Sequence, residues 1–192
     1  MVRKRQEHGA HIEKTPLTSP VLKLHPNESV SLYFFVENNP YLLMLTRTYE
    51  LLGIYCCRGR GKIETSTAVK HYLDLFGARG IAITSIHGDN EFTKITEAVR
   101  PIHVKLAARG EHVGDIKRKI RVVKERTRCN TNALANIYKQ FPRVMINENL
   151  KDKVHWLNAF PPKDYIHPNT GPAGLILGNG KSDYNNLKLD FG

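Results

Sequence analysis

At 192 residues with 41% hydrophobic side chains, the chain is long enough to close one hydrophobic core and too short for two independent domains. Twenty-nine Lys and Arg against eighteen Asp and Glu leave a net charge of +11, a balance that points to a polyanionic partner such as nucleic acid. Three cysteines, Cys56, Cys57 and Cys129, exclude a disulfide framework or a paired CxxC zinc site, and no apolar run approaches the roughly 20 residues of a membrane span. The expectation is an intracellular chain with reduced thiols, neither secreted nor inserted in a membrane.

In chain order, residues 1–28 carry Pro16, Pro20 and Pro26 among polar and basic side chains and read as a flexible leader. The fold is expected to begin near Ser29. From there SVSLYFFVENNPYLLMLTRTYELLGIYCC gives three apolar runs, separated by the turn formers Glu37 to Pro40 and by Arg47 to Glu50. That pattern predicts a meander of three antiparallel strands. Ile63 to Phe76 sets Ile63, Thr67, Val69, Tyr72, Leu73 and Phe76 near helical spacing, with Gly77 and Gly80 as stop signals. GIAITSIHGDNEF then predicts a buried strand ending at Gly88-Asp89, followed by a small helix around Lys94 to Val99 and a short strand in PIHVKLAA. Strands joined through helices favour parallel pairing.

The charge is localised. Residues 109–128 hold eight basic and three acidic side chains, so +5 of the +11 lies there, while residues 145–192 carry five of each sign. Ile116, Ile120, Val123 and Thr127 recur at steps of four, three and four, the buried stripe of an amphipathic helix whose other faces are cationic. A last helix is expected from Val144 to Phe160, closed by Pro161-Pro162, with Trp156 and Phe160 as core residues, and no element is predicted for residues 171–192.

This order of elements, together with VENNPYLL after the first strand, HGDNEF at the end of the fourth, EHVGDIKRKIRVVKERTR on the basic helix and HWLNAFPPKD after it, resembles the integrase core encoded by copia-type retrotransposons. The similarity runs in order from about Val30 to Gly178. It implies an α/β fold of the ribonuclease H-like class, with a five-stranded mixed sheet of three antiparallel and then two parallel strands flanked by helices. The core domain would then span residues 29–178, with a tail at 179–192.

The resemblance also implies a site and a chemistry. Members of the family hold two divalent ions, Mg or Mn, with two aspartates and a glutamate. These ions activate water or a DNA 3′ hydroxyl against a phosphodiester. Two cations about 3.5–4 Å apart need anionic oxygen ligands to balance them. Matching the motifs residue by residue puts the second aspartate at Asp89, but the first falls on Tyr33 and the glutamate on Lys117. A phenol titrating near 10 is neutral at pH 7 and a poor magnesium ligand, and an ammonium reverses the charge. Glu37, four residues after Tyr33, would lie about 13 Å away along a strand and does not substitute. Asp115 reads as a helix-start acid and Glu125 as a partner of Arg121 or Lys124, although a slip of two residues in the match would promote Asp115 to ligand. The expected site is therefore degenerate, with metal binding weak or absent and Lys117 placed to pair with Asp89.

DNA contact is expected from Lys117, Lys119, Arg121, Lys124 and Arg128, with Arg118 and Arg126 next. His87 reads first as a satisfied strand-end histidine and second as a neighbour that supports Asp89. GRGKIETS, residues 59–66, lacks the spacing of a phosphate-binding loop, and no histidine joins a cysteine pair at zinc-finger spacing. The reading is thus a degenerate integrase core of a retrotransposon polyprotein, with DNA as partner, a homodimer through the core possible in the family, and neither a membrane nor a small-molecule substrate. Its place of action would be intracellular, in the nucleus at integration. The rival readings are an active metal-dependent polynucleotidyl transferase and a non-catalytic DNA-binding or assembly module.

Overall fold

The computed structural model describes residues 27–36, 39–107, 114–135, 142–168 and 170–177. The expected leader as far as residue 26, the Glu37 comparison and the expected tail from 179 lie outside them.

The opening strand β1 (Asn27–Val36) is the centre of the sheet because both of its faces are apolar. Val30, Leu32 and Phe34 point to one side and Phe35 to the other, each at most 4% exposed. β2 (Pro40–Thr46) returns antiparallel with Tyr33 opposite Leu43, and β3 (Leu52–Cys56) pairs antiparallel with β2. Helix α1 (Lys62–Gly77) crosses over to β4 (Ala82–Gly88), which lies parallel to β1, and β5 (His103–Leu106) extends the sheet parallel to β4. The strand order is β3-β2-β1-β4-β5, the mixed five-stranded sheet expected.

Two helical layers cover it. On the Leu32 side, α1 supplies Ala68, Val69, Tyr72 and Phe76, joined by Phe92, Ile95 and Val99. On the Phe35 side, Ile116, Ile120 and Val123 of α2 (Gly114–Ala135) and Leu150 and Val154 of α3 (Arg143–Ala159) close a second cluster over Tyr41, Leu43 and Leu45. The stripe Ile116, Ile120, Val123, Thr127 is buried throughout, as its spacing requires.

Several sequence expectations need correction. β1 begins two residues before Ser29, and Glu28 belongs to the core at 2% exposure. Its carboxylate accepts hydrogen bonds from the backbone N–H groups of Thr48 (3.0 Å) and Tyr49 (3.1 Å), and so fastens the β2–β3 turn, where Glu50 takes a positive φ of 48°. Ile63 is 84% exposed, because the buried stripe of α1 runs through Thr65, Ala68, Val69, Tyr72 and Phe76. In place of a helix over Lys94 to Val99, a 3₁₀ turn spans Asn90–Ile95, started by the Asp89 cap, and it buries Phe92 and Ile95 three residues apart. A short helix α4 (Pro172–Leu177) forms where none was expected, burying Leu175 and Ile176.

Trp156 and Phe160 are not core residues. The buried stripe of α3 is Leu150, Val154 and Asn158, at steps of four, which turns Trp156 away. Trp156 is half-buried and stacks on Phe160, itself 46% exposed, with ring centroids 5.9 Å apart. Asn158 replaces a missing strand neighbour at the sheet edge: its amide accepts from Leu52 N at 2.8 Å and donates to Leu52 O at 2.7 Å.

Candidate nucleic-acid interface

At the C-terminal end of β4, Gly88 is required by close packing, since a Cβ there would meet the Phe92 ring at 2.6 Å. Phe92 therefore folds back under the turn, and Asp89 becomes the cap of the 3₁₀ turn. Its Oδ1 accepts a hydrogen bond from Glu91 N at 3.1 Å. The last β1–β4 pair is Ser31 with His87, and continuing that register by two residues brings Tyr33 level with Asp89. Tyr33 is half-buried on the α2 side of β1, and Lys117 of α2 sets its Nζ 5.4 Å from the centre of the Tyr33 ring. Phenol and ammonium, the two groups standing at the expected carboxylate positions, thus meet each other in a cation–π contact, while the ion pair expected between Lys117 and Asp89 does not form and the Asp89 carboxylate turns to Glu91 N.

The contact is repeated along the strand. Lys124 Nζ lies 5.4 Å from the Phe35 ring centre, while Arg60 and Lys94 lie 5.5 and 5.4 Å from that of Phe34. Phe34 also stacks on Phe92 at 5.4 Å, with the two rings within 2° of parallel. These groups border an open depression of about 570 Å³, lined by Tyr33, Phe34, Phe35, Arg60, Lys117, Ile120, Arg121, Lys124, Glu125 and Arg128. Five cationic side chains and one carboxylate face it. That carboxylate, Glu125, pairs with Arg121 at 2.8 Å, as expected.

The basic residues singled out in the sequence divide among three surfaces. Lys117, Arg121, Lys124 and Arg128 share the depression. Lys119 turns the other way to Glu50, 2.7 Å distant, and with Arg118, Arg47 and Asp115 it lines a separate hollow of about 430 Å³. Asp115 stands in the first turn of α2, 3.8 Å from Arg47. Arg126 lies on a third side, with Cys129, Lys153 and Trp156. His87 is placed 3.3 Å from Ser85 Oγ, and its pKa is held below the ordinary 6.5 by burial first and then by the charges of Arg47, Lys105 and His103. Cys57 is buried, and burial pushes its thiol up to about 11, far from a thiolate nucleophile at neutral pH.

Sequence reasoning missed Arg60, Lys94 and the role of the aromatic run. The signals were present in GRGK and YFF, but only the fold shows that residues 60 and 94 converge on Phe34.

No family profile and no curated protein matches the sequence. Solved structures do match the fold. The catalytic core domain of BIV integrase superposes with a TM-score of 0.54 at 13% identity, covering 78% of this chain and 93% of that one. The HTLV-2 integrase catalytic core domain, in a trimeric form complexed with magnesium, gives 0.51 at 14% identity, covering 78% and 95%. The fold is that of a retroviral integrase catalytic core. The shared architecture is an α/β fold with a mixed five-stranded sheet of three antiparallel strands and then two parallel ones, flanked by helices. Among the described residues no helix is long and apolar enough to cross a membrane, and no three His, Cys, Asp or Glu side chains gather closely enough to hold a metal ion.

Proposed function

We propose that this chain is a nucleic-acid-binding module on an integrase core, of copia-type retrotransposon descent, whose metal site has been given over to side-chain cations. The observation that carries the reading is the Lys117 ammonium seated on the Tyr33 ring, at the two positions where the family resemblance calls for carboxylates. One carboxylate, one phenol and one ammonium do not fit a pair of divalent ions, whose charge needs several anionic oxygens. No catalytic step is therefore assigned to this site. What the groove offers instead is phosphate recognition: Lys117, Arg121, Lys124 and Arg128 recur at steps of four, three and four along α2 and line one depression.

DNA is the favoured partner, with a nuclear place of action following from the same descent. Self-association through the core is part of the proposal and is read from sedimentation of the purified chain. The decisive experiment measures binding of a labelled duplex and metal-dependent nicking in parallel. The four cations of α2 alone predict at least about a 150-fold loss of affinity between about 50 and about 200 mM salt through counterion release. Equal affinity at both salts would overturn the electrostatic reading. A nicked product that requires Mg or Mn and disappears in Asp89→Asn would overturn the degenerate site and establish an active polynucleotidyl transferase.

A further inference from the structure

We infer that the phosphate track does not end at the basic helix: it crosses the end of β1 to Arg60, so that one polynucleotide backbone is gripped from both faces of the sheet without a divalent ion. This deepens the nucleic-acid reading and rests on it.

Consecutive residues of a strand point to opposite faces. Tyr33 and Phe35 accordingly meet α2, through Lys117 and Lys124, while Phe34 meets the other layer, through Arg60 and Lys94. The depression nevertheless holds Arg60 together with the α2 cations, because it opens at the end of the strand, where the two layers converge. Arg60 comes from the loop before α1, far in sequence from the basic segment, and its side chain remains 42% exposed. Glu91 lies 3.4 Å from Arg60 and 3.7 Å from Lys94, so a single carboxylate is shared between the two cations. Lys94 also donates to the Arg60 carbonyl, tying the loop to the 3₁₀ turn.

The two phenylalanine rings are not open to bases. Phe34 and Phe35 are each 4% exposed, and cations stand against them. A groove whose aromatic surfaces are covered and whose rims are cationic recognises phosphates rather than stacked bases, and its contacts are sequence-tolerant. The aromatic run holds the cations in place. A ring quadrupole attracts a cation without cancelling its charge, as a carboxylate would.

The test is a salt series of duplex binding in EDTA with the full chain. Arg60→Gln is expected to flatten the slope of log affinity against log salt by about 0.9 and to weaken binding about tenfold near 0.1 M salt. Arg60→Lys should restore the slope, which a merely structural role for the guanidinium would not explain. If Lys124→Gln flattens the slope and Arg60→Gln does not, the crossing track is wrong and the basic-helix reading stands. If the unmodified chain binds no duplex, both fall. Binding that vanishes in EDTA and returns with Mg would overturn the metal-free grip.

Discussion

Two stripes of α2 carry the same kind of side chain and meet different neighbours. Lys119 ends on Glu50 at 2.7 Å, and the neighbouring Asp115 lies 3.8 Å from Arg47, so two of the cations on that side have a carboxylate beside them. Lys117 and Lys124 stand over Tyr33 and Phe35, each 5.4 Å from a ring centre. A ring fixes a cation's position without cancelling its charge, and the depression sets five cations against one lining carboxylate where the hollow sets four against two. A count of Lys and Arg along the helix overstates the proposed interface, because those side chains divide among separate surfaces. The +5 of the basic segment is spread over three surfaces, of which one carries the aromatic contacts.

The most drastic way to erase the contrast is to detach the helix that carries both stripes. Ile116 is fully buried beneath them, and Ile116→Ala is expected to cost about 2–5 kcal/mol in urea unfolding, with both the Glu50 pair and the groove weakened together. A loss below about 1 kcal/mol would mean that α2 is held by something other than this stripe.

A finer cut separates the stripes. Lys124→Ala should lower duplex affinity about tenfold near 0.1 M salt with little change in stability. Lys119→Ala should do the reverse, leaving affinity within about twofold and costing about 0.2–1 kcal/mol, the range of a partly exposed ion pair. Equal losses of affinity in the two variants would dissolve the distinction.

The smallest expected effect concerns His87, whose pKa is lowered in the fold by burial and by Arg47, Lys105 and His103. A histidine depressed in the folded state binds its proton more readily in the unfolded chain. Its contribution to stability is therefore complete above the ordinary 6.5 and is lost as pH falls through and below that value. The melting temperature should decline modestly on that acid side, and His87→Gln should flatten the decline. An unchanged profile in the variant would remove His87 as its source.

Much of this fold was legible because strands buried on both faces read as long apolar runs between strong turn formers. VSLYFFV and YLLMLT are such runs, and α1 and α3 fall within two residues of the bounds that periodicity and stop signals suggest, whereas α2 runs on to Ala135, past the Thr127 end of its stripe. What escaped was set by distant contacts. Glu28 looked like the end of a polar leader until the Thr48 and Tyr49 amides enclosed it, and Asn158 is buried only because it completes the edge of β3. Six residues of PAGLIL were too short and too rich in Pro and Gly to announce α4. At the site, the chemical types were legible and their neighbours were not. The sequence displays a lysine and a tyrosine where acids were expected, but not that they face each other, nor that Lys119 finds Glu50 across 69 positions.

Manganese binding to the unmodified chain, measured by titration calorimetry and compared with Asp89→Asn and with the double variant Tyr33→Asp, Lys117→Glu, tests the central claim most directly. The account predicts no saturable site in the unmodified chain or in Asp89→Asn, and a new saturable site in the double variant, where three carboxylates are restored. A saturable site in the unmodified chain that Asp89→Asn abolishes would contradict it.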